Sequence, residues 1–152
     1  MPDSPRRRGT SRRVVLLGGL AVLSAVSTAC APGEAHVVEH GLDGALLTAR
    51  TLLARYDATL AAGGVDRVEL LTTLRADHEA HAAELALHIG PGASRITGAA
   101  PAEPDTMKSL RKAESAARKE AVEQCVASDE PQAARLLASI AACRAAHWEL
   151  LG

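Results

Sequence analysis

The chain has 152 residues, enough for one domain of ordinary size, and its 17 basic and 18 acidic side chains nearly cancel. That balance, with one Trp, one Tyr and no Phe, leaves no global case for nucleic-acid binding and no stacking platform for single strands. It also argues against β-sandwiches and barrels, whose faces are filled by β-branched and aromatic residues; Ala and Leu dominate instead and favour closely packed helices.

The first element reads as a processing signal, outside the fold. Arg6, Arg7, Arg8, Arg12 and Arg13 form a basic head. Val14 to Val26 is apolar and too short to span a membrane comfortably as a mature helix. Small residues then lead to a cysteine in Ser27-Thr28-Ala29-Cys30. This run resembles the bacterial lipoprotein signal, which implies cleavage after Ala29 and a diacylglyceryl group on Cys30. The family prefers Leu where Ser27 stands; an ordinary signal peptide cut near Ala29 and a retained anchor are the alternatives. Ser11-Arg12-Arg13-Val14-Val15-Leu16-Leu17 is similar to the twin-arginine export signal, with Val15 where the usual Phe stands. General secretion is the alternative route. Together these resemblances imply that residues 1–29 are removed and that the protein is exported. The lipid on Cys30 would hold it on the outer face of the cell membrane, with two acyl chains giving a stability that one lacks.

Residues 30–42 read as a flexible tether, with Pro32, Gly33 and Gly41. His36 and His40 lie in it, without preorganised geometry for a metal. Residues 43–152 read as four amphipathic helices. The first runs from Asp43, an N-cap residue, to Ala62, on the stripe Leu46, Ala49/Arg50, Leu53, Tyr56/Asp57 and Leu60; Gly63-Gly64 stops it. Asp66, followed by Glu69, is the expected cap of the second. That helix runs to Ile89, where Gly90-Pro91-Gly92 forbids continuation. Its stripe, Leu71, Leu74, His78, His81, Leu85 and His88, places three histidines where leucines belong. Gly90 to Asp105 is a long loop. At about 3.3 Å per residue it could cross the bundle, and a bend between antiparallel neighbours is equally allowed. The third helix starts at Asp105 or Thr106 and runs to Ser128, on Met107, Leu110, Glu114, Ala117 and Ala121, with Arg111, Lys112, Arg118, Lys119 and Glu123 on a solvated face. Pro131 opens the fourth, on Leu136, Ile140, Cys143, His147 and Leu150. The fold class is therefore all-α, an antiparallel four-helix bundle following a cleavable N-terminal segment.

Ionisable residues interrupt three of the four seams near mid-helix. With the last hairpin centred on Asp129/Glu130, Glu114 stands opposite Arg144 to His147. With the first centred on Gly64, His78 stands opposite Arg50, and Asp57 lies roughly 10 Å away along the axis at 1.5 Å per residue. Here the chain resembles the ferritin-like superfamily, whose pattern is one Glu on each of two helices and Glu-x-x-His on each of the other two, around two metal ions. The resemblance matches Glu114 to a lone Glu, and His81 and His147 to the two histidines. His78 and Arg144 stand where the bridging glutamates belong, and the first helix offers Arg50 or Asp57 in place of its Glu. An arginine adds charge of the wrong sign for a di-metal centre. Two expectations follow for the layer. One is a polar seam with Glu114 paired to Arg144 and no cofactor. The other is a single transition metal, zinc, copper or iron, on His78, His81, Glu114 and His147.

Beyond Cys30 there are two cysteines, Cys125 and Cys143. In the last hairpin they are offset by roughly 13 Å along the axis, too far for a disulfide, so two separate thiols are expected. There is no Cys-x-x-Cys, no Gly-rich phosphate loop and no nucleophile elbow. Asp77-His78-Glu79-Ala80-His81 misses the spacing of the His-Glu-x-x-His zinc signature by one residue. Trp148 is expected to close one end of the bundle. The functional expectation is a lipid-anchored, extracytoplasmic bundle that is non-catalytic, with an interaction or envelope-associated role. Its partners would be the membrane, through Cys30, and an unidentified protein; the alternative is a metal-binding or redox bundle.

Overall fold

In the first helix the apolar and small residues recur at alternating three- and four-residue spacing, and Gly63 ends it with φ 69°, a left-handed turn that a side chain would strain. The computed structural model describes residues 42–64, 66–96 and 103–152. The expectations for the signal, for Cys30 and for His36 and His40 lie outside those residues. Four helices follow in order: α1 (Leu42–Ala62), α2 (Val68–Ile89), α3 (Met107–Ala127) and α4 (Pro131–Leu150), with a short 3₁₀ turn at Gly90–Arg95. Among the described residues there is no strand, and no helix is long and apolar enough to cross a membrane.

The helix ends show why these segments start where they do. Thr106 accepts the Ser109 N–H, and the Ser109 hydroxyl accepts the Thr106 N–H, a reciprocal capping box that opens α3. Glu130 caps α4 by accepting the Gln132 N–H, and Pro131 supplies the first helical residue. The Asp66 cap expected for α2 does not form. Arg67 holds that position with no side-chain hydrogen bond, because α2 begins at Val68, one residue too late for Asp66 to reach it.

Side-chain pairings give the topology. Thr48 pairs with Glu120, and Tyr56 with Glu114, so α1 and α3 run antiparallel. Asp57 pairs with Arg75 across α1 and α2, and Arg144 reaches Ala117 across α3 and α4. Asp77 meets His147 across α2 and α4. Since α1 is antiparallel to both α2 and α3, the last two are parallel to each other. The long connection therefore crosses from one end of the bundle to the other. Both of its described ends are fixed to α1. Arg50 donates to the carbonyls of Ala93 and Ile96. Arg55 grips Asp105 with two bonds of 2.6 and 2.8 Å, and Thr59 accepts the Asp105 N–H. Arg50 thus belongs to the crossover and not to the mid-bundle layer.

Two apolar clusters fill the interior. One is rich in alanine: Leu42, Ala45, Leu46, Ala49, Leu85, Ala121, Leu137 and Ile140 are among its members. The other gathers Tyr56, Leu71, Leu74, Leu110 and Leu151. Each fully buried leucine contributes about 1.5–3 kcal/mol. The expected seam of α3 is the one found, with Leu110, Glu114, Ala117 and Ala121 buried. Midway along α1 the buried leucine is Leu52, one position before the expected Leu53. The seam of α4 is rotated: Ala133, Leu137, Ile140, Arg144 and His147 are buried, while Leu150 is exposed. Trp148 does not close an end. It lies on the flank, half-buried, with the Arg111 guanidinium 4.3 Å over its ring.

The Arg55–Asp105 pair is bidentate and partly screened from water. A double-mutant cycle with Arg55→Ala and Asp105→Ala should give a coupling of about 1 kcal/mol in urea unfolding. A coupling indistinguishable from zero would show that the crossover is held by other means.

Candidate functional site

The two apolar clusters are separated by a polar layer. All four helices contribute to it at one height: Tyr56 from α1, His78 from α2, Glu114 from α3, Arg144 and His147 from α4. Tyr56, His78 and Glu114 have no exposed surface, and Arg144 and His147 retain 1% and 2%. Glu114 is the hub. Its Oε1 accepts the Tyr56 hydroxyl at 2.7 Å and meets His78 Nε2 at 2.6 Å and His147 Nδ1 at 3.3 Å. Burial alone would raise the Glu114 carboxyl. The bonds from His147, His78 and Tyr56 outweigh it and hold the group down to about 2, so the carboxylate is ionised in the core.

His147 is the second centre. Its Nε2 faces Asp77 Oδ2 at 3.1 Å and Cys143 Sγ at 3.3 Å. One ring nitrogen therefore looks at each of two carboxylates, and the imidazolium form satisfies both. Desolvation opposes that form, but the bonds and charges of Glu114 and Asp77 prevail and raise its pKa above the ordinary histidine value. Arg144 donates to the Ala117 carbonyl at 3.0 Å, and its Nε and second terminal nitrogen have no partner. The expected Glu114–Arg144 pair is absent: Arg144 is spent on the Ala117 carbonyl, and Glu114 Oε2 is buried without a hydrogen-bond partner. Glu114 and Asp77 thus face Arg144 and His147, whose charged form both carboxylates favour.

The expected donors separate here. His78, Glu114 and His147 converge, with ligand atoms all within 4.8 Å, and could hold a metal ion. His81 stands one step outside that group. Its ring centroid lies 6.1 Å from that of His78, and its Nδ1 is buried without a partner. Burial, helped by the neighbouring charges of His78, Arg144 and His147, lowers its pKa to about 4 and keeps it neutral. His88 is exposed beside Glu84. Asp57 sits on the surface with Arg75.

Three members were not expected from the sequence. Tyr56 is level with His78, their rings 5.1 Å apart, because the first hairpin turns about Asp66/Arg67 and not about Gly64. Each residue by which the midpoint moves shifts the opposing partner by two, which replaces Arg50 with Tyr56. Asp77 and Cys143 join through His147; the i,i+4 spacing of Cys143 and His147 was the visible signal. Cys125 and Cys143 are separate free thiols, as expected; Cys125 donates to the Ala134 carbonyl.

No family model, curated protein or solved structure matches the chain. The layer is therefore interpreted from its own geometry.

The depressed Glu114 pKa fixes a sign. Its stabilisation is complete above the ordinary value of 4.5 and is lost as pH falls through about 2, a swing of about 3 kcal/mol. His81, neutral in the fold down to about 4, adds an earlier loss: below pH 6.5 the unfolded chain takes up its proton first. Denaturant midpoints measured from pH 6 to 3 should fall steadily, since below 6.5 the opposite contribution of His147, whose pKa is raised, is already complete. His81→Gln should flatten the part above pH 4.5. Glu114→Gln should cost about 3–5 kcal/mol at pH 7, because it leaves buried cations uncompensated. A Glu114→Gln protein of native stability at pH 7 would contradict the hub role.

Proposed function

We propose that the protein is a lipid-anchored, extracytoplasmic helical bundle of ferritin-like type with a non-catalytic, interaction or envelope-associated role. One observation carries the non-catalytic part: the donors at the centre are sealed from solvent and bonded to one another. The anchoring part is supported by Arg12-Arg13 and by Ser27-Thr28-Ala29-Cys30. The interaction role is supported by an open cleft of about 520 Å³ along α3, lined by Lys108, Arg111, Lys112 and Trp148 with three hydroxyl side chains. Its cations and indole suit an acidic partner.

A second reading is a single transition metal on His78, Glu114 and His147, with His81 as a further ligand. The convergence of the first three favours it. It requires His78 and Glu114 to move apart, since 2.6 Å is a hydrogen-bond distance and two ligands of one tetrahedral ion stand about 3.3 Å apart.

Cys30→Ala should move the protein from the membrane pellet to the soluble fraction in its native host, and Arg12→Lys with Arg13→Lys should leave it uncleaved in the cytoplasm. Unchanged membrane partitioning of Cys30→Ala would overturn the lipoprotein reading. Metal analysis of protein purified without a histidine tag decides between the two readings of the layer. Stoichiometric metal that disappears on changing His78 to Gln would replace the non-catalytic reading with the second.

A further inference from the structure

We propose that Asp77, Cys143 and His147 form a site for a zinc-class divalent cation at the edge of the bundle, clipping α2 to α4. The site shares His147 with the sealed layer and differs from it in chemistry and access. It offers a thiol, an imidazole and a carboxylate, the donor types that zinc and its analogue cobalt accept together. The layer offers no sulfur. Asp77 keeps 46% of its side chain exposed, and Cys143 is half-buried, so an ion can enter and a water can take an open position.

The donors already stand near ligand spacing, and binding would move them apart by only a few tenths of an ångström. Metal bonds of about 2.0–2.1 Å to nitrogen or oxygen and about 2.3 Å to sulfur put tetrahedral ligands about 3.3–3.6 Å apart. Here Nε2 of His147 lies 3.1 Å from Asp77 and 3.3 Å from Cys143, and all three donor atoms fall within 4.8 Å. Cys143 and His147 stand one helical turn apart on the same face of α4, so their donors are set by the backbone. Asp77 enters from the facing helix.

Two further observations point the same way. His147 binds Glu114 through its other nitrogen, at 3.3 Å. A metal-bound histidine ordinarily donates its second N–H to a carboxylate, which fixes the ring and its tautomer. Glu114 therefore already holds the imidazole with Nε2 turned outward. His81 is one turn beyond Asp77 on α2, with its Nδ1 buried and unpartnered. The exchange also balances in charge. A divalent cation displaces two protons, one from the Cys143 thiol and one from His147 Nε2, and both leave to solvent.

Cobalt(II) tests this directly, because thiolate ligation gives a near-ultraviolet charge-transfer band that histidine or carboxylate binding does not. The full-length chain, purified in detergent without an affinity tag and kept anaerobic, should develop that band with saturation near one equivalent. Zinc should bleach it and raise the Tm. Cys143→Ser should abolish the band, Asp77→Asn should weaken cobalt binding at least tenfold, and Cys125→Ser should leave both unchanged. Circular dichroism of each variant shows whether it has folded. The absence of a charge-transfer band in folded wild-type protein overturns the proposal. So does a band that survives Cys143→Ser. Cobalt uptake without the band, lost on His78→Gln, would place the ion in the sealed layer instead.

Discussion

A single buried carboxylate oxygen organises this bundle. Glu114 Oε1 takes donors from α1, α2 and α4 while its own backbone belongs to α3. An ionised carboxylate in a medium this dry is tolerable only if donors surround it, since the bare charge would cost several kcal/mol. The requirement is mutual. Tyr56, His78 and His147 are each fully or almost fully buried, and each sends a polar atom to the same acceptor. Four helices must therefore stand at one relative height for any of these groups to be satisfied.

The layer draws its countercharge from the chain itself. A cluster of buried carboxylates would need cations from outside to neutralise it. Here a single carboxylate, Glu114, is buried together with Arg144 and His147. Asp77 meets His147 from the edge. The edge differs because one side of His147 faces a half-exposed carboxylate and a thiol. The same imidazole therefore separates a closed, internally neutral core from a surface where chemistry remains open.

How much of this was legible in the sequence depended on which hairpin was being read. The α3–α4 turn is short, and Pro131 fixes where α4 begins. Counting outward from Asp129/Glu130 thus placed Glu114 opposite Arg144 to His147, and it also kept the two cysteines apart. The α1–α2 turn carries two glycines and a cap residue that goes unused. Counting from Gly64 therefore missed the midpoint and chose Arg50 over Tyr56. The α4 seam was misread for another reason. Periodicity marks Leu136 and Leu150 as apolar and Arg144 as polar, yet Arg144 lies inside and Leu150 is exposed. An arginine enters a seam only when tertiary partners receive it, and those partners lie on other helices. The direction of α3 was open in the sequence because a long loop permits both choices. Arg50, Arg55 and Thr59 settle it by fixing the crossover to α1.

The polar layer also answers a problem that the apolar residues create. The seams are built from Leu and Ala at heptad-like spacing, and such a surface is nearly unchanged when one helix slides by two turns against its neighbours. The apolar clusters on either side would accept that slip at modest cost. The layer would not. Sliding α4 by seven residues would replace Arg144 and His147 with Leu137 and Ile140 beside Glu114. The carboxylate would then be buried without its histidine donor, and the arginine would be set among leucines. Each uncompensated charge costs about 3–5 kcal/mol, more than a slipped leucine pair could recover. Hydrophobic burial therefore makes the bundle stable, and the charged layer selects one register from the several that burial alone would allow.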